Sequence, residues 1–171
     1  MKSFIAALAA LALATPANAD PREFTPSELL NRGVHPAIVE GFTALGVPVV
    51  DGSGYGICGD GKTSRTMALY NYVYNVVIVC QDHIQHGDEF IKSVTHEAVH
   101  MVQDCRSGLT SGSLDELDPE QLDRLMRGLH PRLQRVITKL YDQESWPVEI
   151  EAFYFQSRPA AVAEGIARFC F

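Results

Sequence analysis

The stretch VTHEAVHMVQDC, residues 94–105, indicates more about the fold than any other part of the sequence. Its apolar residues recur at intervals that place them on one broad face of a helix: Val94, Ala98, Val99, Met101 and Val102. Gly87 and Asp88 before it and the run RSG after it are typical of helix ends. We therefore predict a buried helix that runs from about Glu89 to Cys105.

Two histidines and a glutamate lie within this predicted helix, in the pattern HEAVH. Residues four positions apart share one face of a helix, so His96 and His100 can bind the same ion. Glu97 then lies beside that ion, where its carboxylate can accept a proton from a zinc-bound water. The pattern predicts a zinc site with Glu97 as general base. The alternative is an amphipathic helix that carries two histidines without binding a metal.

A catalytic zinc site needs a third protein ligand and leaves one position open. The longer pattern HExxHxxGxxH would supply a third histidine from the same segment, but Gln103 and Arg106 occupy the positions of that glycine and that histidine. The third ligand must therefore come from another part of the chain.

Glu149 and Glu151 are the candidates, because both lie in the otherwise apolar segment SWPVEIEAFYF. A carboxylate buried there is costly unless it is paired or bound to a metal. The two are about 200° apart on a helical wheel, so at most one faces the site. Exposure to solvent, or pairing with a residue such as Arg158, is the alternative for either glutamate.

The HEAVH pattern followed by an E-x-E-A helix resembles the gluzincin zinc metallopeptidases, in particular their small single-domain members. The resemblance covers the two motif segments and the order of strand before helix, and it does not extend to the first 50 residues. It implies that His96, His100 and Glu149 bind Zn²⁺ and that Glu97 is the general base. It also implies a strand edge beside the active helix that pairs with an extended substrate.

Two roles stay open at this point. Phe153 occupies the position at which the family commonly has an aspartate that orients a histidine ligand. Besides a backbone carbonyl, the candidates for that orienting role are Asp104, Gln103 and Glu151. The candidates for stabilising the oxyanion together with zinc are Tyr141, Tyr154, His83 and His86.

Residues 1–19 read as a secretory signal peptide: Lys2 precedes an apolar run, and Ala17-Asn18-Ala19 is a typical cleavage site. We therefore expect one domain, residues 20–171, in a secreted or periplasmic protein. No later stretch is apolar enough to predict membrane insertion of the mature chain. The formal net charge is −7 for the whole chain, and it argues against nucleic acid as a partner.

Four cysteines follow the predicted signal peptide, and an even number in an exported chain predicts two disulfides with three possible pairings. Within the frame of the gluzincin resemblance, a bridge from Cys58 to Cys80 would pin the glycine-rich segment that begins at Asp51 to the strand beside the active helix. Cys105, at the end of that helix, would then pair with Cys170. We favour this pairing.

The order of elements predicts an α+β fold that is mainly α. Two short helices precede a small antiparallel β unit, which packs on the active-site helix and is followed by a helical C-terminal half. The stretch TMALYNYVYNVVIVC, residues 66–80, predicts one long strand, or two strands joined near Asn71 or Asn75.

The expected function is an exported, zinc-dependent metallopeptidase that hydrolyses peptide bonds in a peptide or protein substrate. The alternative is a non-catalytic, exported, zinc-containing binding module. Substrate preference and oligomeric state do not follow from the sequence.

Overall fold

The computed structural model describes residues 21–59, 66–109 and 112–171. Its helices are α1 (Pro26–Asn31), α2 (Pro36–Leu45), α3 (Gly87–Ser107), α4 (Pro119–Gly128), α5 (Pro131–Leu140), α6 (Trp146–Phe155) and α7 (Pro159–Phe169). Its strands are β1 (Val49–Asp51), β2 (Ala68–Asn71) and β3 (Val76–Val79). This confirms the predicted α+β, mainly α class. The predicted signal peptide lies outside the described residues.

Helix α3 is the central element, and its 21 residues make it about 30 Å long. It begins where the Glu89 carboxylate accepts the backbone N–H groups of Gln85 and His86. It ends at Gly108, whose φ of 97° is a left-handed conformation that glycine adopts without strain. Residues 93–105 are buried all round, because the sheet packs on one side of α3 and helices α6 and α7 pack on the other.

The sheet has the strand order β1-β3-β2 and is mixed, whereas the sequence predicts an antiparallel unit. Strand β2 is antiparallel to β3, to which it is joined by a tight turn at residues 72–75. Strand β1 runs parallel to β3, with Val49 opposite Val77. The connection between β1 and β3 contains all of β2. A connection of that length lets β3 run in the same direction as β1, which a short hairpin would not allow. Strand β3 lies in the middle and is buried throughout, which explains its uninterrupted apolar sequence.

Two disulfides, Cys58–Cys80 and Cys105–Cys170, confirm the favoured pairing. The first joins the short 3-10 turn Gly56–Cys58 to the end of β3, and the second joins the end of α3 to the end of α7. Disulfides persist in oxidising compartments, so two of them favour a location outside the reducing cytosol. Within the described ranges, no helix combines the length and the apolar character needed to span a membrane.

Candidate metal centre

Helices α3 and α6 pack side by side and bring together the three residues predicted as metal ligands. His96 and His100 lie one turn apart on α3, and Glu149 lies in the first turn of α6. The Nε2 atom of His96 is 3.3 Å from Glu149 Oε2, and the Nε2 atom of His100 is 3.6 Å from Glu149 Oε1. One ligand atom from each residue lies within 4.8 Å of the other two. Glu149, and not Glu151, therefore faces the histidines.

The distances and the burial of this triad fit a zinc ion. Ligand atoms about 2.0–2.2 Å from a tetrahedral zinc lie roughly 3.3–3.6 Å from one another. The two histidine–carboxylate contacts, one to each oxygen of Glu149, have this length, and all three ligand atoms lie within 4.8 Å of one another. Glu149 Oε2 is buried and has no hydrogen-bond partner among the residues that the structure describes. A buried carboxylate oxygen without a partner is costly, and a bound cation would satisfy it.

The charge state of Glu149 also suits a ligand. Burial acts to raise the pKa of this carboxyl group, but the adjacent His96 and His100 rings and the Tyr141 hydroxyl outweigh burial and lower it. The carboxylate is therefore ionised at neutral pH. Two imidazoles and one carboxylate form a donor set that zinc accepts in catalytic sites.

Glu97 lies next to this triad and is held by the sheet. Its side chain is buried, and Oε2 accepts the backbone N–H of Tyr70 at 2.6 Å. Tyr70 belongs to β2, which is an edge strand, so the outer edge of β2 faces the candidate centre. Burial raises the pKa of the Glu97 carboxyl, and this effect exceeds the opposing influence of His96 and His100.

Tyr141 is the one of the four oxyanion candidates that lies at the centre. It follows the last residue of α5, and its ring packs edge-on against Phe153, which in turn contacts the ring of His96. Burial raises the pKa of Tyr141, and the charges of Glu149 and Glu97 raise it further. The phenol therefore stays protonated and can donate a hydrogen bond at neutral pH.

The other three candidates lie elsewhere in the fold. His83 Nδ1 is 2.7 Å from the carbonyl oxygen of Thr66, and His86 is the exposed residue that precedes α3. Tyr154 packs against Gly128 of α4, and the Arg158 guanidinium lies 3.8 Å from the centre of its ring. None of these three contacts the triad in the described part of the chain.

Each histidine of the triad has its own support. The ring of His96 packs edge-on against Phe153, with 4.8 Å between the ring centroids. His100 Nδ1 is 2.7 Å from Gln103 Oε1. Of the residues eligible for the orienting role, Gln103 is thus the one that contacts a histidine. Asp104 instead accepts the Tyr70 hydroxyl at 2.7 Å.

Glu151 pairs with Arg106, and not with Arg158 as the sequence allows. Both terminal nitrogens of Arg106 donate to the Glu151 carboxylate, at 2.9 and 2.7 Å. Gln103 and Arg106 occupy the positions that exclude a three-histidine pattern. Both have partners next to the centre, because Gln103 contacts His100 and Arg106 pairs with Glu151. Tyr70 was not identified from the sequence, because the backbone N–H with which it contacts Glu97 carries no recognisable pattern.

No curated protein and no solved structure is similar enough to this chain to count as a match. The model of one protein family does match residues 56–171. This segment contains strand β2 and helices α3 and α6, which carry the residues of the candidate centre. Because this segment is more than half of the chain, the protein belongs to the family described as Domain of unknown function (DUF8637).

Proposed function

We propose that this protein is a secreted or periplasmic zinc metallopeptidase, similar to the gluzincins, that hydrolyses peptide bonds. The observation that carries the proposal is the convergence of His96, His100 and Glu149 ligand atoms within 4.8 Å, with Glu97 beside them. The two disulfides and the apolar N-terminal run after Lys2 support the exported location.

The residues of the centre divide the work of hydrolysis among them. Zinc, when bound by the triad, supplies a Lewis acid that polarises a carbonyl group and makes a water molecule more acidic. Glu97 accepts the proton of the attacking water and passes it to the nitrogen of the leaving amine. Tyr141 donates a hydrogen bond to the carbonyl oxygen as negative charge develops there. The Tyr70 N–H holds the Glu97 carboxylate in place for both transfers.

The edge of β2 is the binding surface that we assign to the substrate. In the antiparallel pairing with β3, Tyr70 turns its backbone N–H away from the sheet and toward Glu97. An extended peptide that pairs along this outer edge passes directly beside the general base. Pairing of this kind gives affinity through main-chain hydrogen bonds, with little demand on the substrate sequence.

A non-catalytic zinc-binding module is the second candidate function, and Phe153 is the observation that favours it. Phe153 offers His96 a ring contact in place of the carboxylate that a catalytic site of the gluzincin type usually provides. In that case the metal stabilises the packing of α3 on α6, and the β2 edge binds a partner without cleaving it.

We expect the purified protein to hold one zinc per chain and the variant His96→Ala to hold none. Removing one of three ligands destroys the tetrahedral set and leaves the Glu149 carboxylate buried beside a single histidine. Metal content measured by mass spectrometry, before and after dialysis against zinc, tests this expectation.

His130→Asn is the matched control for that measurement. His130 lies before α5 and accepts the backbone N–H of Arg132, a capping role that asparagine also performs well. This variant should retain its zinc. A wild-type protein that stays metal-free in zinc, with His96→Ala folded as stably as the wild type, would contradict the proposal.

Tyr141→Phe should lower kcat by about 10²–10³ while KM and zinc content stay close to those of the wild type. The hydroxyl group is lost, but the ring that packs against Phe153 is kept. Steady-state kinetics on a cleaved peptide, compared with Tyr154→Phe as control, provides the measurement. Equal kcat values in the two variants would show that the Tyr141 hydroxyl does not take part in the reaction.

A further inference from the structure

A continuous chain of side chains leads from His100 to the surface of the protein. His100 Nδ1 contacts Gln103 Oε1 at 2.7 Å, and Gln103 Nε2 donates to Glu151 Oε2 at 3.0 Å. Glu151 in turn accepts both terminal nitrogens of Arg106. Arg106 also donates to the carbonyl oxygen of Asp115, so the chain ends on the segment between α3 and α4.

The orientation of the Gln103 amide is determined by its two acceptors. Its Nε2 donates to the carbonyl oxygen of Val148 and to the Glu151 carboxylate, both at 3.0 Å. Neither oxygen can donate, because one is a backbone carbonyl oxygen and the other belongs to a carboxylate whose two oxygens both accept from Arg106. The amide nitrogen must therefore face α6, and the amide oxygen must face His100.

This orientation in turn determines the tautomer of His100. An amide oxygen only accepts hydrogen bonds, so a neutral His100 ring must carry its proton on Nδ1 to make the 2.7 Å contact. Nε2 then has a free lone pair, and that atom faces Glu149 at 3.6 Å. The opposite tautomer would direct an N–H group, which cannot bind a metal, into the centre.

Burial keeps this arrangement in place. Gln103 has no exposed surface, and Glu151 is 5% exposed, so water does not compete for their hydrogen bonds. A reversed Gln103 amide would direct its oxygen at two acceptors, the Val148 carbonyl oxygen and the Glu151 carboxylate. That contact is unfavourable whichever tautomer His100 adopts, so the amide has one satisfied orientation.

We propose that Gln103, oriented by Glu151 and Arg106, is a positioning residue that selects the metal-binding tautomer of His100. The consequence for zinc affinity rests on the proposed function, whereas the tautomer itself is a property of the metal-free protein. The orienting role therefore passes to a buried amide, at the chain position where a three-histidine pattern would have its glycine.

The test is the tautomeric state of His100 in the full exported protein, freed of metal by a chelator and labelled with ¹⁵N at histidine. Correlation spectra that connect ring carbon-bound protons to both ring nitrogens distinguish the two tautomers at a pH where the ring is neutral. In the wild type we expect the proton on Nδ1. In Gln103→Leu, which keeps the approximate volume but removes the acceptor, the Nε2-protonated form should appear, and zinc should bind about 10–100-fold more weakly.

A second variant keeps the test informative if Gln103→Leu does not fold. Replacing Glu151 and Arg106 together by methionine leaves no unpaired buried charge. It also removes the Glu151 carboxylate, which is one of the two acceptors that orient the Gln103 amide. A smaller shift toward the Nε2-protonated form is expected. Thr95→Val is the control on the same helix, because the Thr95 hydroxyl is buried without a hydrogen-bond partner among the described residues.

The possible results separate the two proposals. An Nε2-protonated His100 in the wild type, or an unchanged tautomer in Gln103→Leu, overturns the positioning role even if zinc binds. The expected change of tautomer in a protein that binds no zinc supports the positioning role and overturns the proposed function.

Discussion

Glu97→Gln should reduce kcat/KM for peptide hydrolysis by about 10²–10⁴ while the protein keeps its zinc and its fold. Glutamine has the shape of glutamate, and its amide oxygen can still accept the Tyr70 N–H. An amide, however, cannot take a proton from water at neutral pH. Cleavage of a mixed peptide library, followed by mass spectrometry, identifies a substrate, and single-peptide kinetics then gives kcat/KM for both proteins.

Glu164→Gln is the matched control for this comparison, because it makes the same chemical change on the exposed part of α7. Its kcat/KM should equal that of the wild type. Two results would contradict the proposal that Glu97 is the general base of a peptidase. In one, the zinc-loaded wild type cleaves nothing in the library; in the other, Glu97→Gln cleaves as fast as the wild type. The first of these results favours the zinc-containing binding module.

Replacing Cys105 and Cys170 together by alanine should lower the free energy of unfolding by about 4 kcal/mol. This disulfide closes a loop of 65 residues and therefore restricts the unfolded chain strongly. The same replacement of Cys58 and Cys80, which are 22 residues apart, should cost about 3 kcal/mol. Urea unfolding of each variant, without reductant and without metal, measures both differences.

Reduced wild-type protein is the reference for both disulfide variants, because it lacks both cross-links but keeps every side chain. It should be less stable than either variant. If the variant without the 65-residue cross-link is as stable as the oxidised wild type, the unfolded chain is already restricted by residual structure.

The helices were predictable because their signals are local. The period of the apolar residues predicts α3 to within two residues at each end. Pro119, Pro131 and Pro159 each occupy the first position of a helix, where proline costs nothing. The apolar run of β3 predicts a buried strand, and it lies in the middle of the sheet.

The direction of β1 was not predictable, because it depends on a pairing across 28 residues between Val49 and Val77. No residue in either strand distinguishes a parallel from an antiparallel partner. A mixed sheet becomes visible only when the path of the whole connection is known.

The spacing of residues predicts the two histidines and Glu97 of the candidate centre, whereas Glu149 was singled out from Glu151 only by the family resemblance, and Tyr141 was one of four open candidates. Helical spacing places His96 and His100 on one face, whatever the rest of the chain does. The choice between Glu149 and Glu151 depends on Arg106, which lies 45 residues before Glu151 and pairs with it. The choice of Tyr141 over Tyr154 depends likewise on how α5 packs against α6, which no local pattern specifies.

Under the proposed function, the Cys105–Cys170 bridge has a consequence for metal loading, because it shortens the covalent path between His100 and Glu149 from 49 residues along the chain to 26 residues through the bridge, even in an unfolded chain. His100 lies five residues before Cys105, and Glu149 lies within the closed loop, 21 residues before Cys170. Tethers of a few tens of residues hold two groups at an effective concentration on the order of millimolar. Once the bridge has formed, the proposed third ligand therefore stands at a higher local concentration beside the histidine pair. If the triad binds zinc as proposed, formation of this disulfide favours metal capture before folding is complete.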